Sequence, residues 1–180
     1  NYPTKIISRP VNAAAFRQTG IDAEMNYSFP LLGGTVGIRG LVTYVDRLEV
    51  KQFPTDPAID YAGSTIMPRW RASLATGYSD DRWTFTLFGR FRSSAYYGAD
   101  RRVVYDVPDV KSAIFFDTSI ARKVKGLGGE GELYVTVQNL FDKNAPIFYP
   151  LPGVPGFSLP ALQGDDLVGR RFNVGFRAKF

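Results

Sequence analysis

Asp80–Asp81 and Asp165–Asp166 are adjacent carboxylate pairs, and Asp56, Asp60, Asp106 and Asp109 add carboxylates in stretches rich in Pro, Asp and Gly. Such groups can do acid–base work or hold a hard cation such as Ca²⁺ through oxygen. The chain has no His and no Cys. That removes zinc sites built on nitrogen and sulfur, thiol nucleophiles and every triad that needs a histidine base. Enzymes using paired carboxylates stay open in principle, but Asp80–Asp81 lies in a tight turn, "SDDR" (79–82), where solvation accounts for it. No enzyme is expected, with no catalytic residue, no metal and no cofactor.

Two further patterns invite chemistry. "GLGGEG" (126–131) fits the phosphate-cradling G-x-G-x-x-G letter by letter. That motif needs a helix after it, so that the helix N-terminus meets the phosphate. The next residues are "ELYVTVQNLF", an alternating strand pattern, so the stretch reads as a hairpin turn. "NAPIFYPLPGVPGFSLPAL" (144–162) sets Phe148, Tyr149 and Phe157 among five prolines. Prolines restrict the backbone, so these aromatics could be presented rigidly to a ligand, or could pack against other parts of the protein. The net charge of +5 suggests an anionic partner, but the arginines are scattered through strand-like segments without a basic run. Nucleic acid is therefore not expected as a partner.

The elements carrying these residues are strands. Seven segments alternate apolar and polar residues with period 2: Gln18–Phe29, Thr35–Glu49, Trp70–Tyr78, Trp83–Arg92, Ile114–Val124, Glu132–Phe141 and Phe172–Phe180. Each therefore has one apolar and one polar face. No segment reads convincingly as a helix. "PLLGGT" (30–35), "SDDR" and "KGLGGEG" (125–131) are short connections; 50–68, 93–112 and 142–165 run to roughly twenty residues. Short and long alternate, so an up-and-down meander places the short turns at one end and the long loops at the other.

That asymmetry belongs to a transmembrane barrel, with short periplasmic turns and long outer loops. The strands are close to the ~9–11 residues that cross the hydrocarbon at a tilt. Tyr27, Phe29, Tyr78, Trp83 and Phe180 fall near the short-turn end, and Tyr44 and Phe141 nearer the long loops, as two interfacial girdles would. The polar face carries Asp22, Glu24, Arg39, Arg71, Arg90, Asp117 and Arg177, too many charges for a dry core. The apolar face is thus expected to meet lipid and the charged face a wet lumen. The inward arginines could select anionic ligands or pair with Asp22, Glu24 and Asp117; the presence of both signs favours pairing. A mean hydropathy of −0.13 is compatible with this, because lumen residues cancel lipid-facing ones. Single-chain bacterial barrels close with an even number of strands, so seven leaves open edges, and further strands are expected before the N-terminus.

"GID" (20–22), "QNLFDK" (138–143) and "VGRRFNVGFRAKF" (168–180), with "RPVNAAAFRQTGID" (9–22) and "DYAGS" (60–64), resemble the C-terminal end of TonB-dependent outer-membrane receptors. The resemblance covers nearly the whole chain. It implies an all-β, antiparallel up-and-down meander that forms strands 16 to 22 of a 22-stranded barrel, in the outer membrane of a Gram-negative bacterium. It implies uptake of siderophore-, cobalamin- or carbohydrate-type ligands. The implied partners are outer-membrane lipid, an N-terminal plug, the remaining strands, TonB acting through the plug, and the outer-membrane assembly machinery. It further implies that Phe172, Val174, Phe176 and Phe180 form an assembly signal on the terminal strand. A plug-less porin-like or small barrel, and a soluble β-sandwich binding module, are the rival readings.

Overall fold

The computed structural model describes residues 15–51, 53, 55–97, 109–126, 129–146, 162 and 164–179. The strands are β1 (Ala15–Leu31), β2 (Gly34–Lys51), β3 (Ile59–Asp60), β4 (Trp70–Ser79), β5 (Trp83–Arg92), β6 (Ala95–Tyr96), β7 (Asp109–Val110), β8 (Ala113–Gly126), β9 (Gly129–Gln138) and β10 (Arg171–Lys179). There is no helix among the described residues. The seven long strands form one sheet in sequential order, β1-β2-β4-β5-β8-β9-β10, and every pairing is antiparallel. The expected all-β meander is therefore the observed one. The short pieces β3, β6 and β7 lie in the long connections; β3 pairs with the end of β2, and β6 pairs with β7.

Register keeps the strands in one phase. Phe29 faces Val36, which faces Tyr78, then Phe85, Ile120, Val135 and Val174 in turn. Because side chains alternate, every second residue from these positions shares that face. The face holds Met25, Leu74, Leu87, Phe116 and Leu133; the other holds Glu24, Arg39, Arg71, Arg90, Asp117 and Arg177. Leu74 lies on an interior strand yet is 48% exposed. Paired strands flank it on both sides, so the exposure means that no described residue layers over the apolar face. Polar intrusion there is muted: the Thr118 hydroxyl donates to the Thr86 carbonyl at 2.8 Å.

The turns divide as expected. Leu31 pairs with Gly34, leaving Leu32 and Gly33 with φ of 48° and 79°. Positive φ at both positions is the type I′ geometry, whose twist suits a hairpin. Asp80 organises the next turn: its Oδ1 accepts the N–H of Arg82 at 2.7 Å and of Trp83 at 2.6 Å. The Trp83 and Arg82 N–H groups hold its carboxyl below the ordinary carboxylate range. β8 and β9 pair antiparallel as far as Gly126 opposite Gly129, so a strand and not a helix follows the glycines, as a hairpin requires.

Two strand expectations need correction. β1 and β2 run one to three residues beyond each end of Gln18–Phe29 and Thr35–Glu49. β9 stops at Gln138, before Phe141. Asn139 and Asp142 both take φ of 51°, which breaks the extended backbone. Phe141 thus leaves the strand, though its ring still packs edge-on against Phe116 at 5.5 Å.

The small buried cores lie at the long-loop end. Thr19 pairs with Arg47 and Gly20 with Val45, so Asp46 is an extra residue in β2, a bulge. The bulge shifts the phase of β2, and Val45 and Leu48 are both buried with Ala62, against Tyr61 and Met67. A Cβ on Gly20 would run into the Tyr44 carbonyl oxygen and lie 3.3 Å from Val45 Cα. A second cluster joins Ala95, Tyr97, Val110 and Leu162. Gly20→Ala is expected to destabilise the folded chain by roughly 1–3 kcal/mol through overpacking against backbone. Gly37→Ala, with nothing within 4 Å of the new Cβ, is expected to stay within about 0.5 kcal/mol of the parent. Urea midpoints of the refolded proteins check the difference.

Candidate functional site

The polar face gathers its strongest charges where β4, β5 and β8 enter the long connections. Arg71 faces Arg92 directly across β4 and β5, and Ser73 faces Arg90. Residues two apart on a strand share a face, so three guanidinium groups crowd one corner. Like charges directly opposite each other are unfavourable without compensation.

Compensation comes from far along the chain. Arg92 Nε donates to Asp165 Oδ1 at 2.7 Å, and Arg92 Nη2 reaches Asp165 Oδ2. Arg92 Nη1 donates to the Lys111 carbonyl at 2.8 Å and the Ser93 carbonyl at 3.2 Å. The two side chains are only 7% and 1% exposed, so this fork-to-fork pair is dry. Next to it, Asp166 accepts from Arg171 Nη2 at 3.2 Å and from the N–H groups of Val168 and Gly169. The Asp165–Asp166 pair is thus a latch that holds the segment before β10 onto β5.

Asp117 divides its oxygens. Oδ2 accepts from Arg90 Nη2 at 3.2 Å, and Oδ1 accepts the Asn139 N–H at 2.8 Å. Asn139 is buried, and its amide closes a ring by exchanging bonds of 2.9 Å with the backbone of Lys143. Asp142 Oδ1 accepts the Arg170 N–H at 2.8 Å. The Asn139-Leu140-Phe141-Asp142 segment therefore ends β9, engages Asp117 on β8 and meets the approach to β10.

A third anchor is built by "DYAGS". Asp60 Oδ1 accepts the N–H of Leu48 at 2.9 Å and of Ala62 at 3.0 Å. Burial pushes its carboxyl up, but those N–H groups and the charges of Arg69 and Arg47 outweigh it, and the net shift is downward. Tyr96 Oη donates to the Ala62 carbonyl at 2.6 Å, joining this segment to β6.

The expected arginine pairing holds in part. Arg39 meets Glu24 at 2.9 Å and Arg90 meets Asp117. Asp22 accepts the Thr43 hydroxyl at 2.6 Å instead of an arginine. Arg177 meets Glu132 at 3.4 Å. Among the described residues, the Arg71 side chain has no hydrogen-bond or ion-pair partner. A pocket of about 150 Å³ opens here, lined by Arg71, Arg90, Arg92, Ala113, Phe115 and Asp165 among others.

The loop carboxylates do not assemble a metal centre among the described residues. Asp56 accepts the Phe53 N–H at 3.2 Å, and Asp60, Asp165 and Asp166 are engaged as above. Asp106 lies outside the described residues. So do Phe148, Tyr149 and Phe157, the expected ligand-contacting aromatics, and Phe180 of the terminal strand. Phe172, Val174 and Phe176 lie on the edge strand β10 and are 66%, 72% and 64% exposed on the apolar face. Sequence reasoning missed the Arg92–Asp165 pair and the role of Asn139. The left-handed backbone that Asn favours was a usable signal for the second. Nothing local marked the first, whose members are 73 residues apart. The chain matches no protein-family model and no curated protein.

Asp165→Asn is expected to destabilise the protein by about 3–5 kcal/mol, because it leaves the Arg92 charge buried and uncompensated. Protease cleavage between residues 139 and 170 should rise with it. Replacing both partners, Arg92→Met with Asp165→Leu, should recover most of the loss in the same denaturation measurement.

Proposed function

We propose that the chain is the C-terminal part of the β-barrel of a TonB-dependent outer-membrane receptor, which takes up siderophore-, cobalamin- or carbohydrate-type ligands. The observation that carries this reading is the uncovered apolar face. Seven adjacent strands present it in phase, and interior residues such as Leu74 stay exposed on it. Water is a poor solvent for such a face, and hydrocarbon is a good one.

The aromatics support the same reading. Toward the short turns, Trp83 stacks on Phe85 at 5.8 Å and Tyr27 lies 5.7 Å from Phe29. The Arg122 guanidinium sits 5.3 Å from the Trp83 ring, a cation placed at headgroup depth. Toward the long loops, Tyr44 and Trp70 pack at 4.6 Å. Trp70 and Tyr78 are separated by about 27 Å at ~3.4 Å per residue. Strand tilt shortens that toward the ~25 Å height of a lipid-facing band. β1 and β10 are edges, and unpaired edges are costly in hydrocarbon, so the reading requires barrel strands beyond both. The plug and the TonB-contacting segment belong to the rest of the parent chain under this reading.

Leu74→Arg is expected to cost about 2–4 kcal/mol in a bilayer, as a cation near the midplane does. Thr86→Arg, exposed on the polar face, is expected to cost less than about 1 kcal/mol. Refolding of the full-length parent into vesicles measures both. Equal costs, or a cooperative melt of the parent in plain buffer without detergent, would remove the membrane reading. The parent's upstream sequence separates the receptor from a plug-less barrel, since only the receptor has a plug.

The terminal strand carries the second part of the proposal. β10 offers an open ladder and an exposed row of Phe172, Val174 and Phe176, which suits strand addition by an assembly factor. Deleting Phe180 removes one aromatic, worth about 2 kcal/mol of burial, which alone predicts a mild loss. An assembly signal predicts a sharp fall in outer-membrane abundance of the parent, with unfolded protein left in the periplasm. Phe85→Ala on an interior strand is the control; equal, mild losses from both changes would leave Phe180 as an ordinary girdle residue.

A further inference from the structure

Among the described residues, the charge balance of the arginine corner does not close. Arg71, Arg90 and Arg92 supply three positive charges, and Asp117 and Asp165 supply two negative ones. Arg92 is satisfied by Asp165 and two carbonyls. Arg90 shares Asp117 with the Asn139 backbone through a single bond, and its buried Nε has no acceptor among the described residues. Arg71 has no partner among the described residues, and its neighbours across the strands are Thr43 and Arg92. Like charges set side by side are unfavourable without compensation, so an unpaired Arg71 beside two further guanidinium groups marks a place for an anion.

The hollow between them has room for one. Its volume is about 150 Å³, several times the ~10–15 Å³ that one water-sized sphere needs. That leaves room for a carboxylate or phosphate group. Phe115 is buried beside it, and the Arg90 guanidinium lies 6.0 Å from that ring, which limits water on one side. The guanidinium fork matches the two oxygens of a carboxylate or phosphate in a way a lysine would not. We propose that this pocket binds the carboxylate or phosphate group of an anionic solute, with Arg71 and Arg90 as its ligands. Arg92, locked by Asp165, forms the rigid wall behind them. The site rests on the polar face alone; that the solute is transported cargo rests on the receptor reading.

The test uses the full-length parent in detergent micelles at low ionic strength, titrated calorimetrically with citrate and separately with inorganic phosphate. Saturable binding of at least one anion is expected, and the stronger of the two names the class. Arg71→Gln is expected to weaken it by about tenfold or more, with Arg71→Lys intermediate. Arg39→Gln, which touches the separate Glu24 pair, should leave it within about twofold. Arg71 holds no described residue in place, so its replacement leaves folding intact, which heat-modifiable migration on a gel verifies. Absence of saturable binding to either anion, or equal binding by Arg71→Gln and the parent, overturns the site. Anion binding by a parent that proves soluble without detergent keeps the site and removes the transport reading. A detergent-dependent barrel that binds neither anion does the reverse.

Discussion

Side chains alternate across a strand, so pairing seven strands in a single phase puts every second residue of each on the same side of one sheet. A slip of one residue at any pairing would carry apolar side chains into the charged face and arginines into the apolar one. The ladder from Phe29 through Val36, Tyr78, Phe85, Ile120 and Val135 to Val174 contains no such slip. The departure from phase, the Asp46 bulge, lies toward the long connections beyond Tyr44. There it serves packing, because it is where Val45 and Leu48 are both buried.

The two ends of the sheet obey different rules. Along the strands the apolar residues stay exposed, and no described residue covers them. At the long-loop end, small cores of the ordinary kind appear, around Ala62 and around Val110. Their polar groups are treated as a soluble protein treats them, with carboxylates taking backbone N–H groups at Asp60, Asp117 and Asp166. Under the proposed membrane reading, that division is what one chain in two solvents requires. Where the environment is apolar, burial supplies no drive and backbone pairing must be complete; where it is water, loops need their own cores and anchors.

The arginine corner joins these regimes. Arg92 is part of β5, yet its partner comes from the segment leading into β10. The latch lets a distant connection neutralise a wall charge, and it fixes the guanidinium behind the pocket. Arg39 and Arg177, by contrast, meet their carboxylates on neighbouring strands at exposed positions. Such surface pairs add little to stability; they keep the charges of the polar face in register.

The sequence by itself determined the seven long strands, their order and which face of each is apolar, though not where β9 ends or the short pieces β3, β6 and β7. Alternation is a local property, and sequential hairpins leave few other arrangements. The motifs "QNLFDK" and "DYAGS" were visible as patterns, but their work was not. Asn139 ends β9 by taking a left-handed backbone while Asp117 holds its N–H, and Asp60 ties its own loop to Leu48. Those bonds join segments of different strands. Tertiary structure alone decided which arginines found partners. Asp22 turned to Thr43, Asp165 crossed 73 residues to Arg92, and Arg71 was left without a described acceptor. Side-chain charge is written in the sequence, but pairing depends on which atoms come within about 3 Å, and only the folded register and the path of the long connections set that distance.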